Sequence, residues 1–322
     1  KSGFTNIHGF NNHEEGSGMD TTMAKTIEGL SVYVKENRPD LLVVHGDRIE
    51  ALAGSVVGAL NNILVAHIEG GEVSGTVDEL IRHAVTKMSH LHFVSNDEAA
   101  ARLVQMGELP ESIHVIGSPD MDVMVSADLP SLDEVKQHYE IPFDAYGIIM
   151  FHPVTTEQDL MRSASENLFE AAKQSGLNYV VVYPNNDLGA DVILQSIYSM
   201  ECDNRFRVFP SIRFESFLTL LRNSQLILGN SSAGIREAPF YGIPTVNIGS
   251  RQSGRSANPN LLHCTYDTIS ISNAIERAVF AVRFDSMHDF GSGSSDVRFI
   301  SALQNPITWK TESQKRFLDI KL

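Results

Sequence analysis

The chain has 322 residues, of which 42% are hydrophobic and 20% are charged, and these values are typical of a globular protein with room for two domains. Its 25 basic and 40 acidic residues leave a net charge of −15, which argues against nucleic acid as a partner. No apolar run approaches the ~20 residues of a membrane span, no signal peptide is recognisable, and the two cysteines lack metal-ligand spacing. We therefore expect a cytoplasmic protein that needs neither a membrane nor a metal.

Strand-like and helix-like segments alternate along most of the chain, which is typical of parallel sheets with helices on both faces. The predicted fold class is therefore α/β, with two Rossmann-like, doubly wound domains and a cleft between them. The predicted strands are 41–45, 63–68, 91–94, 113–116, 146–151, 178–183, 205–208, 225–229 and 244–248. The predicted helices are 20–36, 49–61, 77–89, 97–106, 157–174, 188–199, 213–223 and 232–241.

Prolines and mixed polar residues interrupt this alternation between Ser118 and Ala145. We place the domain junction there, with a first domain over 1–127 and a second over 140–295. The segment 296–322 is helical in pattern and is predicted to pack back onto the first domain. The chain opens with a polar, glycine-rich stretch and a helix instead of a core strand. The first domain is therefore either small and complete or lacks its first strands, and the absent initiator Met favours the second reading.

A first polar cluster follows the apolar run Leu41–Val44, in the sequence His45-Gly-Asp47-Arg48. A helical pattern begins directly afterwards, so Asp47 is predicted to stand at the carboxyl end of a strand. In an open parallel sheet that end is where ligands bind. Taken alone, Asp47 fits a helix N-cap better than it fits an acid or a base.

A second polar cluster follows the short apolar strand 63–66 and is the most informative part of the chain. Burying unpaired carboxylates is costly, so several of them at a strand end predict a functional site. Two consecutive glycines allow the backbone to turn sharply and to approach a substrate. The alternative is an acidic surface loop with a helix cap at Thr76 or Asp78. The cluster consists of His67, Glu69, Gly70, Gly71, Glu72 and Asp78.

Four predicted strands of the second half also end in hydrogen-bonding residues. Gly229–Glu237 is the strongest of these segments, because small residues at a strand-to-helix turn expose N–H groups that suit a diphosphate. Its Ser231 and Ser232 add hydroxyl donors, and Glu237 could accept both ribose hydroxyls; the alternative is a serine N-cap. The four strand ends together favour a nucleotide ligand. The polar segments that follow these four strands begin at His152, Pro184, Gly229 and Gly249.

These motifs together resemble the UDP-N-acetylglucosamine 2-epimerase family, and more narrowly its hydrolysing branch. The resemblance covers essentially the whole chain, and the Gly-Gly-Glu-Val-Ser-Gly-Thr-Val-Asp78 sequence distinguishes it from the non-hydrolysing branch. The segments that carry it are His45–Arg48, His67–Glu72 with Asp78, His152–Thr156, Gly229–Ser232 with Arg236 and Glu237, and Gly249–Gln252.

The resemblance implies the glycosyltransferase-B architecture, with UDP bound on the second domain. It implies that the diphosphate lies near Ser231, Ser232 and Arg251, the ribose on Glu237 and the uracil near Asn185. Arg48 and His152 would lie close to the phosphates, and His67 is counted with the substrate-binding residues. Family members begin with a strand and a loop that carries an arginine and an acidic residue. This chain has no matching segment, so we expect it to be an N-terminally truncated member.

The implied reaction converts UDP-N-acetylglucosamine and water to N-acetylmannosamine and UDP through a glycal, as the first step of sialic acid biosynthesis. Asp47, Glu69 and Asp78 are the candidate acids and bases, with His152 as a fourth catalytic candidate. No cofactor is expected, and a homo-oligomer, a dimer or a tetramer, is expected. One alternative is a hydrolysing epimerase for a UDP- or GDP-linked 2,4-diacetamido-6-deoxy sugar in legionaminic acid synthesis. Another is a non-catalytic nucleotide-sugar-binding protein.

Overall fold

The computed structural model describes residues 4–14, 18–74, 77–185, 187–252, 261–281 and 283–319. The chain divides into two compact units. Unit 1 consists of Lys1–Glu72, Val77–Pro119 and Ser294–Leu322, and unit 2 of Val73–Thr76 and Asp120–Gly293. Each unit contains one parallel sheet, which confirms the predicted α/β class. Within the described ranges, no helix has the length and apolar content that a bilayer crossing requires.

Unit 1 is built on a four-stranded sheet in the order β1-β2-β3-β4. Its strands are β1 (Leu41–His45), β2 (Leu64–Ile68), β3 (Leu91–Val94) and β4 (Ile113–Val115). Its helices are α1 (Met19–Asn37), α2 (Ile49–Leu60), α3 (Val77–Met88), α4 (Asp97–Gln105) and α12 (Ser295–Gln304), with 3₁₀ turns at Pro110–Ser112 and Thr308–Lys310.

Both faces of the central strands β2 and β3 of the unit 1 sheet are buried, and successive side chains of these strands point to opposite faces. Val65 of β2 packs with Ile81 of α3 in one core cluster. Its neighbour Ala66 lies in a second cluster with Phe93, against which Phe299 of α12 packs. The C-terminal helix therefore covers one face of the sheet that the N-terminal half of the chain forms.

Unit 2 is built on a six-stranded sheet in the order β10-β9-β8-β5-β6-β7. Its strands are β5 (Gly147–Met150), β6 (Tyr179–Val182), β7 (Phe206–Phe209), β8 (Ile227–Gly229), β9 (Thr245–Ile248) and β10 (Leu261–Cys264). Its helices are α5 (Pro119–Met124), α6 (Leu132–His138), α7 (Gln158–Gln174), α8 (Ala190–Tyr198), α9 (Phe214–Arg222), α10 (Glu237–Phe240) and α11 (Thr268–Phe280), with a 3₁₀ turn at Ser232–Gly234.

Unit 2 has two core clusters, one on each face of its sheet. Ile149 and Val181 belong to the cluster that contains residues of α7, α8 and α11. Ile148 and Val180, which precede them on the same strands, belong to the cluster that contains residues of α5, α6 and α9. The sheet is therefore covered by helices on both faces, as a doubly wound domain requires.

Four elements of unit 2 are absent from the sequence prediction: β10, α5, α6 and α11. Helix α11 is rich in Ser, Thr and Ile, which are weak helix formers, so its helical pattern is faint. Helices α5 and α6 lie inside the proline-containing region that we read as the domain junction. Met121 and Met124 of α5 are buried in the unit 2 core, and the N-terminal part of unit 1 runs to Pro119.

The predicted helix over 232–241 is wrong, because the segment forms a three-residue 3₁₀ turn and the separate four-residue helix α10. Pro239 gives the physical reason, since it has no N–H to donate to a carbonyl one turn earlier. Any helix dipole behind Ser231 is therefore limited to a single short turn.

Candidate functional site

The polar residues of unit 1 follow two adjacent strands at the carboxyl edge of the sheet. Strands β1 and β2 are paired in parallel, with His45 opposite Ile68. The backbone N–H of Gly46 donates to the Ile68 carbonyl at 3.0 Å, and the N–H of Glu69 donates to the Phe93 carbonyl at 2.8 Å. Asp47 and Glu69 therefore both leave the sheet at the edge where ligands of such folds bind.

Asp47 forms an ion pair with Arg82, a buried residue of α3. The other terminal nitrogen of Arg82 donates to the backbone carbonyl of Glu72 at 3.2 Å. Asp47 does not cap α2, because the N-cap position belongs to Arg48, an exposed residue. The sequence prediction missed Arg82; the available signal was a basic residue four positions after Asp78 in the same helix.

Glu69 is buried, with 6% of its surface exposed, and its backbone is left-handed at φ 64°. The Ser118 hydroxyl donates to Oε1 at 2.5 Å, and His45 Nε2 lies 3.1 Å from Oε2. A left-handed conformation costs roughly 1–2 kcal/mol for a residue with a Cβ. A buried carboxylate on strained backbone at a strand end is typical of functional sites.

His67 is fully buried beneath the loop that carries Asp47. Its Nε2 lies 2.9 Å from the Gly46 carbonyl and its Nδ1 lies 3.2 Å from the Thr86 hydroxyl. Burial lowers its pKa to about 3, so the ring is neutral, and Nε2 donates because a carbonyl can only accept. His67 was expected among the substrate-binding residues; both of its ring nitrogens are hydrogen-bonded inside the unit, where the ring supports the Asp47 loop.

Asp78 lies in the first turn of α3 and is half-buried. The alternative helix cap at Thr76 falls outside the described residues. Earlier in the same loop, Gly71 has φ 78°, and a Cβ there would lie 2.4 Å from the Ala99 carbonyl oxygen. Only glycine fits this position, which explains one of the two glycines that the sequence pattern singled out.

The polar residues of unit 2 follow β5, β6, β8 and β9, which are consecutive in the sheet order β9-β8-β5-β6. Their carboxyl ends therefore share one edge. His152 follows β5, Asn185 follows β6, Asn230 and Ser231 follow β8, and Arg251 follows β9. The structure brings together the strand ends that the sequence pattern proposed for a nucleotide.

Asn230 connects three of these loops. Its side chain binds the backbone of His152 on both sides, with His152 N–H donating to Oδ1 at 2.7 Å and Nδ2 donating to the His152 carbonyl at 2.9 Å. Its own carbonyl accepts from Arg251 at 3.1 Å and from Gln252 at 2.8 Å. Asn230 is fully buried and was not among the predicted site residues, although it lies inside the Gly-Asn-Ser-Ser motif.

His152 is half-buried, and its ring accepts a hydrogen bond at Nδ1 from the backbone N–H of Asn185 at 3.0 Å. Burial and, to a smaller extent, the positive charge of Arg251 lower the pKa of His152 to about 3. His152 is therefore a neutral imidazole at physiological pH.

Glu157 at the start of α7 holds the loop that carries Arg251. Its carboxylate accepts hydrogen bonds from the hydroxyl of Tyr266, at 2.5 Å, and from the hydroxyl of Ser250. The loops after β5 and β9 are thereby joined at a second point, one residue before Arg251.

Ser231, Ser232 and Glu237 occupy the segment after β8. The Ser231 hydroxyl accepts from the backbone N–H of Ala233 at 3.3 Å and caps the 3₁₀ turn, while Ser232 is half-buried. Glu237 is buried and begins α10. Among the described residues, no group of three or more His, Cys, Asp or Glu side chains is arranged to hold a metal ion.

Comparison with known proteins gives a consistent result. The family model described as UDP-N-acetylglucosamine 2-epimerase matches residues 4–304. A UDP-N-acetylglucosamine 2-epimerase of Neisseria meningitidis serogroup B is 49% identical over 316 residues, which are 97% of this chain and 84% of that protein. A hydrolysing UDP-N,N'-diacetylbacillosamine 2-epimerase of Legionella pneumophila is 32% identical over 88% of this chain and 77% of its own length.

One solved structure also resembles the chain. The UDP-GlcNAc 2-epimerase of Methanocaldococcus jannaschii, in complex with UDP-GlcNAc and UDP, matches with a TM-score of 0.78. It is 20% identical, and the match covers 89% of this chain and 82% of that one. At this identity the likeness shows the fold, which is of the glycosyltransferase-B type that the motifs predicted.

Proposed function

This chain belongs to the UDP-N-acetylglucosamine 2-epimerase family, and we propose that it is a hydrolysing member that converts UDP-N-acetylglucosamine and water to N-acetylmannosamine and UDP. N-Acetylmannosamine is the precursor expected for sialic acid biosynthesis, so we propose the first step of that pathway. The observation that carries the proposal is Glu69, a buried carboxylate on left-handed backbone at the ligand-binding edge of unit 1.

The proposed reaction requires acid and base groups near C2 of the sugar. A base removes the weakly acidic C2 proton, the C1–O bond breaks, and UDP departs, so that a glycal forms. Water then adds to the double bond of the glycal. We assign these proton transfers to the three carboxylates Asp47, Glu69 and Asp78. Ser118 and His45 orient the Glu69 carboxylate, and Arg82 orients that of Asp47. The orientations of the Glu69 and Asp47 carboxylates are thus fixed before a substrate binds.

UDP binds, in this proposal, to unit 2. Ser231, Ser232 and Arg251 are assigned to the diphosphate, Glu237 to the ribose hydroxyls and Asn185 to the surroundings of the uracil. Arg48, which follows β1, is also assigned to the phosphates. The shared edge of β5, β6, β8 and β9 supports the unit 2 assignments, because it concentrates donors where a parallel sheet binds nucleotides.

Two observations support hydrolysis over simple epimerisation. The relative from Legionella pneumophila is named as a hydrolysing 2-epimerase and is 32% identical to this chain. The sequence from Gly70 to Asp78 resembles that of the hydrolysing branch.

NMR of the product mixture formed from UDP-N-acetylglucosamine tests the proposal. We expect free N-acetylmannosamine and UDP in equal amounts. UDP-N-acetylmannosamine as the product would show a non-hydrolysing epimerase, and the absence of turnover with bound UDP would indicate a nucleotide-sugar-binding protein.

The Legionella relative favours a second candidate substrate, UDP-N,N'-diacetylbacillosamine, which is a 2,4-diacetamido-6-deoxy sugar. Both UDP-sugars should be compared by kcat/KM under the same conditions. We expect UDP-N-acetylglucosamine to be preferred, because the relative at 49% identity is named for it. A larger kcat/KM for the diacetamido sugar would reverse the assignment.

A further inference from the structure

We infer that His152 serves the reaction as a neutral hydrogen-bond donor through Nε2, and that Asn230 is the residue that positions it. The identity of the acceptor, the diphosphate of a UDP-sugar, rests on the proposed function. The tautomer of His152 and its attachment to Asn230 are properties of unit 2 alone, so they can be tested without turnover.

The tautomer follows from one hydrogen bond. The backbone N–H of Asn185 can only donate, and it points at His152 Nδ1 from 3.0 Å. A ring nitrogen that accepts a hydrogen bond carries no proton, so the single proton of the neutral ring lies on Nε2. If Nδ1 carried a proton, its N–H group would face the backbone N–H group of Asn185. The two donors would repel each other, and the contact between the loops after β5 and β6 would be lost.

The charges around His152 favour the same neutral state. Burial is the main cause that lowers its pKa, and the guanidinium of Arg251, from the loop after β9, acts in the same direction. Two acidic residues on the adjoining loops have other partners. Asp187 accepts from the Asn185 side chain at 2.5 Å, and Glu157 accepts from two hydroxyl groups.

Asn230 fixes the backbone of His152 and therefore the direction of its ring. An amide side chain offers one acceptor and one donor at a fixed spacing, and Asn230 uses both on a single residue. Its carbonyl also accepts from Arg251 and Gln252, so the same residue places a cationic side chain beside the ring. Asn230 is fully buried and acts through His152 and Arg251, which makes it a positioning residue.

This arrangement defines what His152 does when UDP departs. The C1–O bond breaks, its electron pair goes to the diphosphate oxygen, and the C2 proton goes to the catalytic base. The Nε2–H group of His152 donates a hydrogen bond to the departing diphosphate and keeps its own proton. Preorganised donors of this kind stabilise charge that develops in the transition state.

The tautomer can be observed by ¹⁵N NMR of histidine-labelled protein without nucleotide, with the His152 signals assigned from their loss in His152→Gln. We expect Nε2 to be protonated and Nδ1 to be unprotonated from pH 8 down to pH 5. A protonated Nδ1 at pH 6, as the other tautomer or as imidazolium, would overturn the inference whether or not the protein turns over UDP-N-acetylglucosamine.

Kinetics of two His152 variants test the role. His152→Ala removes the donor and should lower kcat/KM roughly 100-fold, the loss typical of one transition-state donor. His152→Gln retains an N–H donor without a titrating group and should stay within about tenfold of the parent enzyme. Equal and complete inactivation of the two variants would indicate proton transfer by His152 and would contradict a donor role.

Asn230 variants test the positioning. Asn230→Ala should lower UDP affinity roughly tenfold and broaden or shift the His152 signals. Asn230→Asp, which places a second acceptor against the His152 carbonyl in a buried site, should lose at least as much affinity. The matched control is Asn223→Ala, at an exposed position at the end of α9. This variant should leave the UDP affinity and the His152 signals unchanged. Unaltered His152 signals in a folded Asn230 variant would show that Asn230 does not determine the position of the His152 ring.

Discussion

Arg82 and Asp47 are 35 positions apart in the sequence, yet they form an ion pair that joins helix α3 to the loop after β1. The side chain of Arg82 is 7% exposed and that of Asp47 is 25% exposed, so this pair is largely shielded from water. Because Asp78 begins the same helix, α3 connects two of the three candidate carboxylates of unit 1.

Replacing Arg82 by Met should destabilise the protein by roughly 1.5–3 kcal/mol, the range for a hydrogen bond to a charged group. The Asp47 carboxylate would then lack its cation, so we also expect a large fall in kcat. Chemical denaturation and steady-state kinetics measure the two effects. Arg316→Met is the control, because its ion pair with Glu312 is exposed on both sides and is worth about 0.5 kcal/mol or less. Equal losses in the two variants would argue against a special role for Arg82.

Glu69 allows the carboxylate and the strained backbone to be tested separately. Glu69→Ala and Glu69→Gly both remove the carboxylate, and both should abolish turnover. Glycine adopts φ 64° without steric cost, so the glycine variant should be the more stable of the two by about 1 kcal/mol. Thermal or urea unfolding gives the difference; an alanine variant as stable as the glycine variant would mean that the backbone relaxes at this position.

His67 should make stability depend on pH. Its pKa is about 3 in the folded protein against 6.5 in the unfolded chain, because burial penalises the charged ring. Between these values the unfolded chain binds a proton that the native state does not, so stability is complete above pH 6.5 and is lost as the pH falls toward 3. Each such proton contributes a slope of about 1.4 kcal/mol per pH unit. His67→Gln should reduce the slope of unfolding free energy against pH, whereas His138→Gln, at an exposed site, should not.

Lys315 attaches the C-terminal segment to unit 1. Its ammonium group lies 2.6 Å from the Glu108 carboxylate and donates to the carbonyls of Thr86 and Ser89 at the end of α3, at 2.8 and 2.5 Å. Lys315→Met should therefore destabilise the protein by roughly 1.5–3 kcal/mol in urea unfolding. Arg316→Met is the neighbouring control and should change stability by about 0.5 kcal/mol or less, since its side chain is 74% exposed.

The same variant should also alter acid stability. Burial raises the pKa of Glu108, but hydrogen bonds from His92, Lys315 and Lys87 outweigh it and hold the pKa at about 2, against 4.5 unfolded. The stabilisation is present above pH 4.5 and is lost as the pH falls toward 2. Removing Lys315 should raise this pKa and move acid unfolding to higher pH; an unchanged acid midpoint would contradict the assignment.

Glu237 is the residue that we assign to the ribose of UDP. Glu237→Ala should weaken UDP binding by roughly 1–3 kcal/mol, the range for losing a charged hydrogen-bond partner. Calorimetry with UDP measures this, and Glu166→Ala, an exposed residue of α7, is the control. Unchanged affinity in a folded Glu237 variant would show that the ribose lies elsewhere.

Local patterns in the sequence were sufficient to predict the strands β1 to β9 and the polar residues that follow them. Apolar runs bounded by turn residues define such strands, and parallel strands place all their carboxyl ends at one edge. The fold class and the neighbourhoods of Asp47, Glu69 and His152 follow from that rule. The same rule missed β10, whose sequence Leu-Leu-His-Cys contains none of the β-branched residues or Phe, Tyr and Trp that favour strands, and α11, whose residues are weak helix formers.

The partners of these side chains were decided by the tertiary structure. Asn230 binds a backbone 78 positions away, and the ring of His67 forms a hydrogen bond with the Gly46 carbonyl inside unit 1. Both outcomes depend on how neighbouring strands and helices pack, because a hydrogen bond forms only within about 3 Å and in a favourable direction. Residue type and spacing identify which strand ends carry chemistry, but only packing determines which side chain faces a substrate and which one holds it in place.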